Sequence, residues 1–393
     1  MKTVTIIKCV LVFVFMVHGI NTQVYGETSE NLNVTAGNLG VLLGSEKDVI
    51  TNLIITGEIN GTDIGTLRSM SNLSVLNMAD ANIVTGGSFA VNGRIINVVN
   101  NQIPDCMFHH LTKLTSVEIP NSITSIGDSA FYLCSGLTTV SIPDHVTTIG
   151  NFAFHGCTAL ESFVIGNKVD FIGEAVFCDD IKMKDFIVSE SNASFYSEEG
   201  ILFNKNKSKL IRFPNKKSVV YTIPESVTSL DGHAFCSCSE LTSITLPVGL
   251  TNIGLDVFFG CTGLAEIHCK FLILTVLYHD PFLKVDKENC KLYVPSGTST
   301  VYSNAEVWGD FKNIIEEALT EVSEIEKNNT TVFTKQDVIV IKNAVMGETV
   351  SVYSALGILL RSVKTTDDEI RIAVPANHIY LVRIADRIFK VAV

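Results

Sequence analysis

Residues 114–137 read LTSVEIPNSITSIGDSAFYLCSGL, and residues 137–160 repeat the pattern as LTTVSIPDHVTTIGNFAFHGCTAL. In the first copy Val117 and Ile119 alternate with Ser116 and Glu118, the period of a strand with one buried face. Pro120 ends that strand because it has no ladder donor. Ile123 and Ile126 make a second short apolar edge, Gly127 permits a turn, and Ala130-Phe131 fold back so that Phe131 fills the interior. One unit cannot bury Leu114, Val117, Ile119, Ile126 and Phe131 by itself. Stacking the next unit on it does so, and the chain becomes a solenoid.

The period extends outward in both directions. Phe108, Phe131, Phe154 and Phe177 stand 23 residues apart, as do Phe235 and Phe258. Leu114, Leu137 and Leu160 keep the same step, as do Leu241 and Leu264. Ile119-Pro120 recurs as Ile142-Pro143, Ile223-Pro224 and Leu246-Pro247. Gly127, Gly150, Gly173 and Gly254 hold a further column, with Asp231 in the fifth copy. A fixed period of this length is the signature of a stacked array. It also explains why the chain has 22 Phe but one Trp: each coil places a Phe inside.

The spacing breaks once, where Phe177 and Phe235 are 58 residues apart. The extra segment, near 190–214, carries Ile201-Leu202-Phe203 and Leu210-Ile211-Arg212-Phe213 around a polar turn, which reads as a hairpin protruding from the stack. Gly200–Lys217 holds Lys205, Lys207, Lys209, Arg212, Lys216 and Lys217 and no acid, in a chain of net charge −12. They are candidate binding residues for an acidic glycan or an acidic protein surface. The same lysines also suit a solvated hairpin that protects its strand edges.

End coils need covers. Residues 27–100 read as an N-terminal cap with degenerate repeats, in which Leu67, Met70, Leu73 and Leu76 step by three. Residues 285–317 read as a closing cap that the sole Trp308 plugs, ending the repeat region 101–317. Residues 318–336 are a polar linker, and residues 337–393 alternate as short strands of a small β-sandwich.

The 23-residue units resemble the leucine-rich repeats of BspA-like bacterial surface proteins, over roughly residues 32–317. The resemblance implies a mainly β fold, a leucine-rich repeat solenoid followed by a small C-terminal β-sandwich. It also implies export to the cell surface and adhesion to host or microbial partners. The tail, GETVSVYSALG at 347–357 and PANHIYLVRI at 375–384 with a final KVAV, resembles the C-terminal sorting domain of type IX secretion cargo. That family has Gly where Asn377 or His378 stands here. The likeness implies surface attachment through this domain in a Gram-negative, Bacteroidetes-like bacterium.

The start of the chain agrees with export. Lys2 and Lys8 precede CVLVFVFMV at 9–17, a run too short to span a membrane and fitting a secretory signal peptide. Cleavage is expected after Gly26, with Gly19 as the alternative, leaving no transmembrane span in the mature chain. A hydrophobic share of 46% with only 18% charged residues excludes intrinsic disorder. The negative net charge argues against nucleic acid as a partner.

Nothing in the sequence calls for catalysis, a metal or a cofactor. There is no His-Glu-x-x-His, no Gly-x-Ser-x-Gly and no phosphate-binding glycine loop. His109-His110 reads as surface histidine. Cys134, Cys157, Cys238 and Cys261 follow the repeat Phe by three residues, and Cys178 and Cys236 by one. They are read as free buried thiols, with Cys134–Cys157 or Cys238–Cys261 the conceivable disulfides. Cys236-Ser-Cys238 lacks zinc-knuckle spacing. The outward strand positions supply the other candidate binding residues: Ser116 and Glu118, Thr139 and Ser141, Ser243 and Thr245, with Ser162/Val164 and Glu266/His268 in the same columns. About nine coils at roughly 4.8 Å would make a face about 40 Å long. Such a face suits a host or microbial surface protein or glycan. The alternatives are a structural spacer without a specific ligand, or an accessory protein of glycan utilisation.

Overall fold

A computed structural model describes residues 28–271, 274, 277, 279–317, 330–335, 338–354, 359–367, 369–375, 379–385 and 387–392. The signal-peptide reading with its cleavage at Gly26, and the departure at Asn377 and His378, lie outside the described residues. The chain divides into two compact units, Met1–Lys217 with Asp231–Cys238, and Ser218–Leu230 with Ser239–Val393.

In the first unit Ser29–Val34, Asn52–Ile59, Val75–Asn77, Ser116–Glu118 and Thr139–Ser141 pair in parallel, in that order. Thr139 lies opposite Ser116 and Ser141 opposite Glu118, one period on. A second ladder joins Gln102–Ile103, Ser125–Ile126, Thr148–Ile149 and Phe171–Ile172. The third side of each coil is a turn that also hydrogen-bonds to the next coil. Ser129 N donates to Asn151 O at 2.8 Å, Phe131 N to Ala153 O at 2.7 Å and Leu133 N to His155 O at 2.8 Å. To aim those amides, the residues two before and two after each Phe take positive φ: Ser129 55° and Leu133 56°, then Phe152 55° and Gly156 73°, then Ala175 50° and Asp179 63°. For a non-glycine residue this backbone costs about 1–2 kcal/mol, which the hydrogen bonds of the ladder offset.

The glycine column has a different cause from the turn expected at Gly127. A Cβ on Gly150 would lie 2.7 Å from Asp128 N and 2.7 Å from Gly127 C. These glycines leave room for the preceding coil. Inside the stack, Phe108, Phe131 and Phe154 are fully buried, with ring centroids 4.7 and 4.8 Å apart along the ladder.

The segment near 190–214 does not protrude. Phe195–Glu198, Ile201–Asn204 and Lys209–Arg212 form an antiparallel meander. Glu199 and Gly200, at φ 49° and 78°, supply the two positive φ values of its tight first turn. Leu202, Phe203, Leu210 and Phe213 are buried. Phe213 N donates to Ala234 O at 2.8 Å, the bond that a repeat Phe makes, and its ring stacks on Phe235 at 5.0 Å. The meander therefore replaces a coil, and Phe213 supplies its rung.

The expectation of free thiols fails at one pair: Cys178 and Cys236 form a disulfide, with Cα atoms 5.5 Å apart. The pairs considered from sequence remain thiols. The column three residues after Phe has another use, since Cys134 Sγ donates to Phe108 O at 3.0 Å and Cys157 Sγ to Phe131 O at 3.3 Å. The column one residue after Phe makes no such bond to a carbonyl at Cys178 and Cys236, which the detour of 58 residues brings side by side.

The second unit carries five parallel strands, Val220–Thr222, Ser243–Leu246, Glu266–Cys269, Lys291–Pro295 and Asn313–Glu317. Ser229–Leu230 pairs with Asn252–Ile253 as the second ladder. Phe258 stacks on Phe282 at 5.2 Å. Trp308, 1% exposed, packs edge-on against Phe282 and Tyr302 and closes the last coil. The tail holds two antiparallel sheets, Thr331–Thr334, Val338–Lys342 and Glu369–Ala373 in one, and Leu359–Lys364, Thr349–Ser354, Ile379–Ile384 and Arg387–Ala392 in the other. Ile339, Ile341, Val350, Val352 and Val382 bury between them as a sandwich core. Its first strand lies inside the stretch read as linker, because Val332 packs against that core. No helix among the described residues is long and apolar enough to cross a membrane.

Candidate binding faces

The outward columns of the first unit are in register as expected, but their groups are engaged with one another. Thr139 Oγ1 donates to Ser116 Oγ at 3.2 Å, and Asn77 Nδ2 donates to Glu118 Oε2 at 2.6 Å. The long hydroxyl face is not continuous among the described residues. Ser162–Ile165 and Asp185–Val188 make a sheet of their own, with Val164 and Ile187 in register and exposed.

The second unit presents a richer face. One outward column runs Ser243, Glu266, Lys291, Asn313, and the next runs Thr245, His268, Tyr293, Ile315. Lys291 Nζ pairs with Glu266 Oε1 at 3.3 Å, and Lys270 Nζ with Glu225 Oε1 at 3.4 Å. The His268 and Tyr293 rings stack at 4.3 Å with 3° between planes, and His268 Nδ1 sits 3.1 Å from both carboxylate oxygens of Glu317. Strands about 4.8 Å apart hold such rings face to face, so their edges, rather than their π faces, are turned outward. Lys291, Tyr293 and Glu317 were missed because the closing coils depart from the 23-residue step. Alternation in KLYVP at 291–295 was the available signal.

The basic residues near 200–217 are not a free cluster. Lys207 Nζ pairs with Glu198 Oε1 at 2.7 Å and lies 4.5 Å from the Tyr196 ring centroid. Lys209 pairs with Asp231 at 2.7 Å, and Lys205 Nζ donates to Asn192 O. Arg212 is buried, bonded to His233 O and, at 2.9 Å each, to Asn215 Oδ1 and Cys236 O. Lys216 is exposed and Lys217 half-buried beside Pro214. An absence of acids in sequence did not mean an absence of acids in space.

Around Arg212 lies a polar knot. Asp180 is fully buried, accepts from Cys157 N at 2.8 Å, and has its titration pushed well up by desolvation. Its neighbour Asp179 behaves oppositely. Hydrogen bonding from His155, then from Ser237, holds its carboxyl down at about 2. His155 Nε2 is 3.4 Å from Asp179 Oδ2, and the His155 ring stacks on Tyr132 at 4.9 Å. Burial raises the repeat thiols, Cys134 to about 12 and Cys238 to about 11, so they stay protonated and inert.

With coils, columns and turns in place, the family is clear. Residues 101–222 and 212–305 match the BspA type leucine rich repeat region in six copies. The match spans more than half of the chain, which belongs to that family. Among solved structures, a leucine rich cell surface protein from Faecalibacterium prausnitzii is similar over 76% of this chain and 86% of that chain, at 21% identity and a TM-score of 0.46. A leucine-rich repeat protein from Eubacterium ventriosum is similar over 69% and 73%, at 18% identity and 0.40. The pneumococcal vaccine antigen PcpA is similar over 69% and 80%, at 20% identity and 0.39. No curated protein sequence matches the chain.

Proposed function

We propose that the chain is an exported cell-surface leucine-rich repeat protein that binds a host or microbial surface protein or glycan non-covalently. The binding face is the outward side of the five strands between residues 220 and 317. The observation that carries this reading is the stacked His268–Tyr293 pair beside the Glu266–Lys291 ion pair, on a sheet whose outward columns also carry Ser243, Thr245, Asn313 and Ile315. Five strands locked by backbone ladders hold these groups in place before a ligand arrives, which lowers the entropic cost of association. The role is one of recognition rather than catalysis. Residues 1–26 direct export, and the C-terminal sandwich sorts or attaches the protein at the surface.

The test is an array of glycans and matrix proteins probed with the full chain. A Tyr293→Ser, Lys291→Glu variant is expected to lose at least about tenfold in affinity, the effect of removing more than about 1.4 kcal/mol of contacts. Ser116→Ala should bind as the parent does. A silent array would instead favour the structural spacer, and polymer turnover would favour a role in glycan utilisation. Removing residues 330–393 should abolish surface display in the producing cell. Unchanged display would refute a sorting role for the tail.

A further inference from the structure

The Cys178–Cys236 disulfide is surrounded by ligand chemistry that a plain covalent staple does not require. His155, Cys178 and Asp179 each direct one ligand atom, an imidazole nitrogen, a sulfur and a carboxylate oxygen, to within 4.8 Å of the others. Cys236 Sγ, bonded to Cys178, is the fourth. Two sulfurs, one imidazole and one carboxylate form a donor set suited to a tetrahedral site for Zn2+ or a similar borderline-soft divalent cation. We propose that, when this disulfide is reduced, Cys178, Cys236, His155 and Asp179 bind such a cation.

The supporting geometry comes from three coils of one unit. Tetrahedral bonds of about 2.0–2.3 Å put ligand atoms roughly 3.3–3.8 Å apart. His155, Cys178 and Asp179, with ligand atoms within 4.8 Å of one another, need only a modest contraction, while the two sulfurs move apart once their bond is broken. His155 Nε2 and Asp179 Oδ2 are already 3.4 Å apart. The imidazole is held in orientation by stacking on Tyr132 at 4.9 Å and by the edge of Phe152 at 5.9 Å. Ser237 donates to the other oxygen of Asp179, fixing the carboxylate as an outer-shell partner does in built metal sites. Gly156 N donates to Cys178 O at 2.8 Å, so the backbone of the two turns is tied independently of the sulfurs. The side chain of Asp179 is 43% exposed and gives the cation a way in.

The chemistry balances simply. A dithiol gives two electrons and two protons to the Sγ–Sγ bond and becomes a disulfide itself, leaving two thiols on the protein. The cation then takes both sulfurs as thiolates, and the two protons pass to solvent. In either state the turn at 231–238 stays fastened to the turn at 177–180, by a covalent bond in oxidising surroundings and by a cation in reducing ones.

The full chain, produced and kept under reducing, metal-free conditions, tests this. A thiol count in denaturant two above that of the oxidised protein verifies the starting state. Co2+ should produce thiolate-to-cobalt charge-transfer bands and intense tetrahedral d–d bands, saturating at one ion per chain and displaced by Zn2+. Oxidised protein should show neither. Cys236→Ser should weaken binding and diminish the charge-transfer band. His155→Gln and Asp179→Asn should keep the charge-transfer band, shift the d–d bands and weaken binding by about tenfold or more. Cys134→Ser should match the parent. Folded, reduced protein that gives no bands overturns the proposal, and so do bands left unchanged in both Cys236→Ser and His155→Gln.

Discussion

Two arginines far apart in sequence perform the same task. Arg68, at the end of the helix Gly61–Arg68, donates to Cys106 O at 2.7 Å, Met107 O at 3.1 Å and His109 O at 3.4 Å. Arg212 donates to His233 O and Cys236 O. Both reach the carbonyls two before and one after a repeat Phe, at the first coil following non-repeat chain. Arg212→Ala strands these buried carbonyls and should destabilise the first unit by about 3 kcal/mol in denaturant titrations; Arg212→Lys, which keeps charge but loses the planar fork, should recover part of that. Asp179 has a further consequence at this scale. Its folded-state titration at about 2 lies below the ordinary 3.8, so its stabilising effect is fully present above about pH 4 and is lost as pH falls through 2. His155, Ser237, Arg212 and the buried Asp180 all face it. Asp179→Asn should flatten the melting temperature against pH between these limits, relative to the parent; parallel curves would contradict the assignment.

At the scale of the element, the repeat turn depends on space. Gly150→Ala would push a Cβ against Asp128 N and the Gly127 backbone, neither of which can rotate away. It should cost about 1–3 kcal/mol as an overpacking defect, read by thermal unfolding. Asp231 occupies the same column on the meander, where its amide donates to Leu210 O and its carboxylate pairs with Lys209. The strand of the 23-residue repeat, the Phe rung and the strand register of Thr139 on Ser116 were all legible, since each follows from local periodicity. The meander was legible as a hairpin but not as a coil replacement. That depended on Phe213 finding Ala234, a pairing between segments with no shared period. The positive φ at Ser129 and Leu133 carried no glycine to announce it.

For the whole molecule, the one Trp is a reporter of closure. Trp308 should emit at blue-shifted wavelength and resist aqueous quenchers in the native state, and Phe282→Ala should shift it to the red. Native emission already at the free-indole wavelength would show that the last coil is open. The candidate face could be read only halfway. Thr245 and His268 lay in visible columns, whereas Tyr293 and Glu317 joined them across strands of unequal spacing. The sequence by itself determined the coil, its period and its buried Phe, because every one of those depends on contacts between neighbours one repeat apart. Only the tertiary structure decided which cations are already paired, which cysteines bond and which outward residues form one site. Those outcomes depend on segments that the insertion and the closing coils bring together, at separations that no repeat encodes.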